Sequence, residues 1–472
     1  MEARCILEHP KKGIRTFLIV WFTQSISVMG SSLTFFTIII WLTKHQYPDE
    51  SQKQLLAFAL STLGLARALT TIVLAPIAGA WVDRHDRKQT MIIANIINSL
   101  LAFGLMALML VNSLELWSLM LLQVGLAASG SFHAAAFDTA YSTLVPKRFL
   151  PRANGMMQTM WSLSTILAPT VAAALIALPD MLRKSGGSAG WTSVITNLAD
   201  GTALTIGVDA LSFLIVAIIL SFLTIPSPQR ADLNTTQGKK KSLWLDIKEG
   251  FAYIWQRPAF LWLLSAFTIA NFVVSTRSIF QPLILKFNLV ADWTLHGFSY
   301  DTALALLSTS ASVGGIIGGI FISSWGGLKT KRVYGVLLPM VVFSLGQILF
   351  GLASSIYLTA IAALISSGAI PILNAHSQSI WQAQTPSEIQ GRVFAVRRLI
   401  AQCTLPLGTM LAGILGGLFN PGMMMALLGV GMGVYCFFQF MNPTLLQIEH
   451  DPNNPPEPDP NNPQHGIPQT AK

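Results

Sequence analysis

Long uncharged apolar stretches, separated by short polar connections, dominate this chain. Runs 16–43, 89–114, 116–137, 153–179 and 302–328 carry no charge, and each suits one bilayer-crossing helix of about 20 residues. Runs 333–387 and 399–448 are roughly twice that length, so each predicts a helical hairpin. Their turns are expected at Ala353-Ser354-Ser355 and Asn420-Pro421-Gly422. Three further runs are broken by one charge each: 54–82 by Arg67, 201–229 by Asp209 and 258–285 by Arg277. The pattern predicts an all-α polytopic membrane protein with twelve transmembrane helices.

Composition agrees. Only 11% of the 472 residues are charged and 52% are hydrophobic, against about 25% charged in a soluble domain. So few charges cannot coat a soluble body, and lipid is the natural solvent for most of the surface. The net charge of +9 would suggest nucleic acid, but the basic residues gather in short loops, so no nucleic-acid partner is expected. With the N-terminus placed in the cytoplasm, 23 Lys and Arg fall on inside segments and five outside (Lys44, Lys53, Arg183, Lys184 and Lys286). The positive-inside rule therefore predicts that both termini are cytoplasmic. Cys5, Cys403 and Cys436 have no metal-ligand spacing. No cleavable signal peptide is expected, because Met1–Arg15 is polar and the first apolar run is too long for one.

The longest inside connection, Pro226–Arg257, carries Lys239-Lys240-Lys241 and then a stretch, Leu243–Tyr253, patterned as a surface amphipathic helix. It divides the chain into a six-helix bundle over 1–225, a cytoplasmic linker over 226–257 and a second six-helix bundle over 258–441. The tail, 442–472, is polar and Pro-rich and is expected to be disordered. The halves echo each other about 240 residues apart: Val145-Pro146 then Arg152 matches Thr385-Pro386 then Arg392. Duplicated six-helix units are a transporter architecture, with the substrate site near mid-membrane between them. The chain has no Walker A loop, no HExxH and no paired CxxC. An enzyme is therefore not expected, nor a cofactor or metal, and active transport would have to draw on an ion gradient.

One loop is singled out by its charge. Gly79-Ala80-Trp81-Val82-Asp83-Arg84-His85-Asp86-Arg87-Lys88 lies between two bilayer-length segments and so belongs at a membrane surface. Its glycine would let two helices approach closely, and the Asp83/Arg84 and Asp86/Arg87 pairs can brace the turn. Asp83 could also serve a helix N-terminus. The pattern resembles the loop between the second and third helices of the major facilitator superfamily, matching at Gly79, Asp83, Arg84, Arg87 and Lys88. Three passages resemble, within it, the macrolide-efflux and enterobactin-exporter type of bacterial drug:proton antiporter. They are Phe17–Ser27 in span one, Leu144–Gly155, and Gln390–Arg398 after span ten. The resemblance implies two pseudo-symmetric six-helix bundles, alternating access driven by proton re-entry, and a monomer in the bacterial inner membrane. It also implies that the Gly79–Lys88 loop acts as a latch at the cytoplasmic face. Gly326-Gly327-Leu328-Lys329-Thr330-Lys331-Arg332 stands where the second half should repeat this loop, with the basic end but no aspartate.

Charges and polar groups inside the spans are the remaining candidates, because groups at such depth are costly and face a cavity or a partner. Arg67 lies roughly 22 Å from the cytoplasmic end of span two. It suits a cavity, an ion pair, or snorkelling outward. Asp209 is the candidate proton-carrying carboxylate, since a carboxyl withdrawn from water favours its neutral form. Its alternatives are a partnership with Arg67 or a polar helix contact. Asp138 lies near the cytoplasmic end of span four, where an acid costs little; His133, deeper, is a proton-coupling or a packing residue. Arg277 is expected to snorkel at the outer end of span seven. Asn374 and Gln378 share one face of span ten and, with Gln24 and Asn271, either line a cavity or bond between helices. Trp21, with Trp161, is a candidate wall of an apolar drug pocket. Gly314-Gly315 and Gly318-Gly319 give span eight a close-packing face. The reading is a proton-coupled exporter of an amphipathic or hydrophobic small molecule. The same fold moving a siderophore, metabolite or lysolipid is the alternative, and a non-transporting receptor or scaffold is one of another class.

Overall fold

The computed structural model describes residues 10–82, 85–145, 150–185, 190–225, 243–386 and 389–450. All twelve expected spans form as helices long and apolar enough to cross a bilayer. They are α1 (Pro10–Trp41), α2 (Lys53–Val82), α3 (Arg87–Leu110), α4 (Leu116–Leu144), α5 (Leu150–Lys184) and α6 (Thr202–Phe222) in the first half. The second half holds α7 (Pro258–Phe287), α8 (Tyr300–Trp325), α9 (Tyr334–Leu352), α10 (Ile356–Gln384), α11 (Gln390–Leu418) and α12 (Pro421–Phe440). Their ends follow from local chemistry. Asp86 caps α3 through Gln89, Ser299 and Thr302 form a capping box on α8, and Asn420 caps α12 with Pro421 in its first turn. Gly326, at φ 79°, ends α8 in the left-handed conformation that glycine tolerates.

The duplication read from sequence is visible in the packing. α2 packs on α4, α3 on α4 and α6, and α1 on α5 and α6. Adding six to each number gives the contacts of the second half: α8 on α10, α9 on α10 and α12, and α7 on α11 and α12. The halves meet through α2 with α11 and α5 with α8, a pair that the same operation exchanges. Gly314 and Gly318 put the backbone of α8 against the carbonyls of Leu364 and Gly368 on α10, where any Cβ would collide. This is the close packing expected of that face. Large apolar side chains such as Leu100, Leu121, Ile320 and Phe437 point outward, as a lipid-facing surface requires.

An even number of spans puts Pro10 and Phe440 on one face. Every hydrogen bond between the halves among the described residues lies between mid-span and the opposite face. Lys44 pairs with Asp301 at 3.0 Å, Lys53 reaches the Phe419 carbonyl at 2.6 Å, and Lys286 donates to the carbonyls of Thr43 and Tyr47. Nearer the middle, Ser312 donates to the Thr165 carbonyl at 3.0 Å. The halves are thus hydrogen-bonded together on the face away from the termini.

Two expectations change here. The tail is folded over its first residues, 442–450, rather than disordered. Asn442 caps the turn Pro443–Leu446, Leu445 and Ile448 are buried, and Glu449 accepts the Arg332 backbone N–H at 3.1 Å. Residues 451–472, and 226–242 of the linker, lie outside the described residues. Arg277 does not snorkel: only 8% exposed, it donates to Ser366 at 3.0 Å and lies under the Phe350 ring. Three helices surround it before the side chain can reach the surface. The linker helix forms as expected over Leu243–Trp255, joined to α10 and α11 by Tyr253 on the Gln384 carbonyl and by the Arg392–Glu249 ion pair.

Candidate functional site

Asp209 is placed by three neighbours. Gly30 on α1 has no side chain, and a Cβ there would strike the Asp209 carboxylate, so α1 and α6 come close at this level. Thr34, one turn further along α1, donates to Asp209 Oδ2 at 2.6 Å, and Ser212 approaches Oδ1 at 3.5 Å. The carboxyl is 1% exposed. Of the two structural partners open to this residue, a neighbouring helix is the one it meets, through Thr34 rather than Arg67.

Arg67 meets α1 at the next residue, Phe35. Its guanidinium lies 5.0 Å from the centre of the Phe35 ring, and no carboxylate of the described residues comes within ion-pair distance. Thr34 and Phe35 are consecutive, so their side chains leave α1 about 100° apart. Asp209 and Arg67 therefore have similar depth but meet different side chains of α1, and no ion pair joins them. Placing one charge at mid-bilayer costs about 2.5–3.5 kcal/mol even on the mildest scale, so an unpaired guanidinium at this depth implies a wet cavity.

That cavity is present. It measures about 470 Å³ and is lined by all six helices of the first half and none of the second. Arg67, Asp209, Asp138, His133 and Gln24 all line it. Four of its buried polar atoms have no hydrogen-bond partner: Gln24 Oε1, Asn98 Oδ1, Gln123 Nε2 and His133 Nε2. An unanswered buried polar group costs about 1–3 kcal/mol, so four around one space describe a site meant to be filled by water or cargo. Phe35, Phe137, Phe213, Met157, Met160 and Trp161 supply apolar walls. His133 also stacks on Phe137, with centroids 6.3 Å apart. Sequence reasoning misses Asn98 and Gln123. A polar residue inside an apolar span is their only signal, and many such residues only bond their own helix.

The remaining candidates do other work. Trp21 does not line the cavity; its indole N–H donates to the Met156 carbonyl at 2.9 Å and ties α1 to α5. Asn271 bonds the Ala401 carbonyl at 2.9 Å, joining α7 to α11. Gln378 accepts from Arg397 at 2.7 Å, and Asn374 is exposed on α10. Asp83 and Arg84 lie outside the described residues. Asp86, rather than Asp83, caps the following helix, and Lys88 donates to the Ser221 carbonyl at 2.8 Å, at the C-terminal end of α6. A Cβ at Gly79 would meet nothing within 4 Å, so no close helix approach depends on that glycine here. In the second-half loop, His376 Nε2 accepts the Leu328 N–H at 2.9 Å, and Glu449 supplies a carboxylate that the loop itself lacks.

Comparison with known proteins places this geometry. The model of the Major Facilitator Superfamily matches residues 20–401. Macrolide efflux protein A of Streptococcus pyogenes is 24% identical over 400 residues, covering 84% of this chain and 88% of the relative. The protein of the same name from Enterococcus faecalis is 23% identical over 355 residues, 75% of this chain and 98% of its own. Among solved structures, the fold is similar to an inward-facing, occupied bacterial homolog of the human lysosomal transporter Spinster. There the TM-score is 0.62 at 17% identity, with 92% of each chain covered. It is also similar to the nucleoside transporter NupG, with a TM-score of 0.60 at 13% identity, over 90% of this chain and 98% of that one.

Proposed function

The chain belongs to the Major Facilitator Superfamily, and from that membership we propose that it is a secondary exporter of an amphipathic small molecule, driven by proton antiport. The carrying observation is the single cavity on which Arg67, Asp209, Asp138, His133 and Gln24 converge. Relatives named for macrolide efflux support the direction of transport and an amphipathic cargo. The basic loops put the terminal face in the cytoplasm of a bacterial plasma membrane, so the cavity fills from inside while the halves are hydrogen-bonded together on the outer face. Asp209 and Asp138 are the proton-carrying groups of this reading. Protonation of a cavity acid neutralises it and lets the closed, cargo-free bundle rock back at lower electrostatic cost. Gly79, Asp83, Arg84, Arg87 and Lys88 form the latch that holds the cytoplasmic face shut in the outward-facing state.

The test is accumulation of a panel of macrolides and fluorescent dyes in a pump-deficient bacterium expressing the chain, with and without an uncoupler. Lower accumulation that the uncoupler abolishes is expected for at least one class. No change for any compound, with the protein present in the membrane, contradicts export of this kind.

A further inference from the structure

Two charged side chains of the cavity, Arg67 and Asp138, have no counter-charge among the described residues. Arg67 faces only an aromatic ring, and Asp138 has neither hydrogen bond nor ion pair among the described residues. Asp209, the remaining acid, is held by Thr34 and makes no ion pair with Arg67. Resting on the reading of this cavity as the transport site, we propose that its cargo is an amphipathic zwitterion, with its anionic group on Arg67 and its cationic group on Asp138.

Neither half of that pair is enough alone. A simple cation drawn to Asp138 would leave Arg67 without a counter-charge, and a simple anion on Arg67 would leave Asp138 without one. A zwitterion satisfies both, and the uncharged side chains of Gln24, Asn98 and Gln123 in the cavity wall suit hydroxyl, amide or ether groups of its body. Counted from the terminal-side ends of α2 and α4, the two residues are roughly 13 Å apart along the helix direction at 1.5 Å per residue. The ligand's charges thus stand on the order of 10 Å apart, which fits an elongated amphipath and excludes a free α-amino acid. The arrangement also gives antiport its logic. At Asp138 the cationic group and a proton compete for one carboxylate, so protonation releases that end of the cargo, while Arg67, always charged, only anchors.

The experiment is equilibrium binding to the purified full-length chain in lipid nanodiscs, with no gradient present. The probe is one fluorescent elongated amphipath in three matched forms: amine and carboxylate both free, the methyl ester, and the N-acetyl acid. The zwitterion should bind at least about tenfold tighter than either blocked form, a difference of about 1.4 kcal/mol. Arg67→Gln should lower zwitterion affinity to that of the ester without changing ester affinity, which also serves as the folding control. Arg67→Lys should keep most of the preference, and Asp138→Asn should lower the zwitterion to the level of the N-acetyl acid. Equal affinity of ester and zwitterion for the wild-type chain overturns the proposal, as does an unchanged preference in Arg67→Gln. If either accompanies uncoupler-sensitive export, the zwitterion proposal falls and the exporter reading stands. Zwitterion preference without any gradient-driven export means the opposite: the exporter reading falls and the zwitterion proposal stands. No binding of any form overturns the proposal together with the cavity's assignment as the transport site.

Discussion

The two halves share one helix arrangement but use their intramembrane charges in opposite ways. In the first half Arg67, Asp138 and Asp209 border open space, and only Asp209 has hydrogen-bond partners among them. In the second half Arg277 is packed under Phe350 and bonded to Ser366, and Arg397 lies over Trp381 and Phe267 while donating to Gln378 and Ser377. The only acid in α7–α12 is Asp301, in the first turn of α8, where it pairs with Lys44 on the face away from the termini. Cations braced by rings and neutral groups hold helices together. Charges without a counter-charge around a cavity are, on the exporter reading, what meets the cargo. On that reading one duplicated scaffold supplies a working half and a supporting half.

The sharpest way to break that contrast is Asp209→Asn, which should abolish uncoupler-sensitive export while membrane abundance stays near wild type. Export at the wild-type level would remove Asp209 from the proton path and leave Asp138 as its only acid in the cavity. Next comes Arg397→Met, which removes two hydrogen bonds and two ring contacts. It should cost about 1–3 kcal/mol, read as a lower unfolding temperature, with cargo selectivity unchanged. A changed cargo spectrum would show that the second half also selects. Asp301→Asn should act more weakly, since its partner Lys44 is 38% exposed in its side chain. An effect of about 0.5–1 kcal/mol would appear as a few-fold rise in labelling of an outer-face cysteine. A separate, pH-dependent effect belongs to the loop between α5 and α6. Asp200 is pushed up by burial, but bonds from His45 and Thr202 outweigh this and hold its carboxyl down at about 2. Because the folded-state value is depressed, this carboxylate stabilises the fold above its ordinary range near 4. The contribution is lost as pH falls from there toward 2. Asp200→Asn should lower the unfolding temperature at pH 7, with the difference closing across that window.

The spans, the turns at Ala353–Ser355 and Asn420–Gly422, and the duplication were legible because hydropathy over about 20 residues is a strong signal and an uncompensated charge in lipid is rare. Arg67, Asp209, Asp138, His133 and Gln24 were legible for the same reason. What was not legible is which polar residues face the same space. Gln24, Trp21, Asn271 and Gln378 look alike as isolated polar or aromatic letters in apolar runs, yet only Gln24 reaches the cavity. Helix rotation and neighbour identity decide this, and both depend on packing between distant segments, such as the α1–α6 approach at Gly30. The folded start of the tail was hidden for a related reason. Its polar composition resembles a disordered segment, while Leu445 and Ile448 find their pocket only once the second bundle exists.

Cargo protection of single cysteines, in a variant that lacks Cys5, Cys403 and Cys436 and still exports, bears most directly on the claim that the first half holds the cargo. Asn98→Cys lies in the cavity wall, and Asn374→Cys is exposed on the second half. Saturating cargo, chosen from the accumulation panel, should slow alkylation of Asn98→Cys and leave Asn374→Cys unchanged. Protection at Asn374→Cys with none at Asn98→Cys would contradict the assignment and move the site to the other bundle.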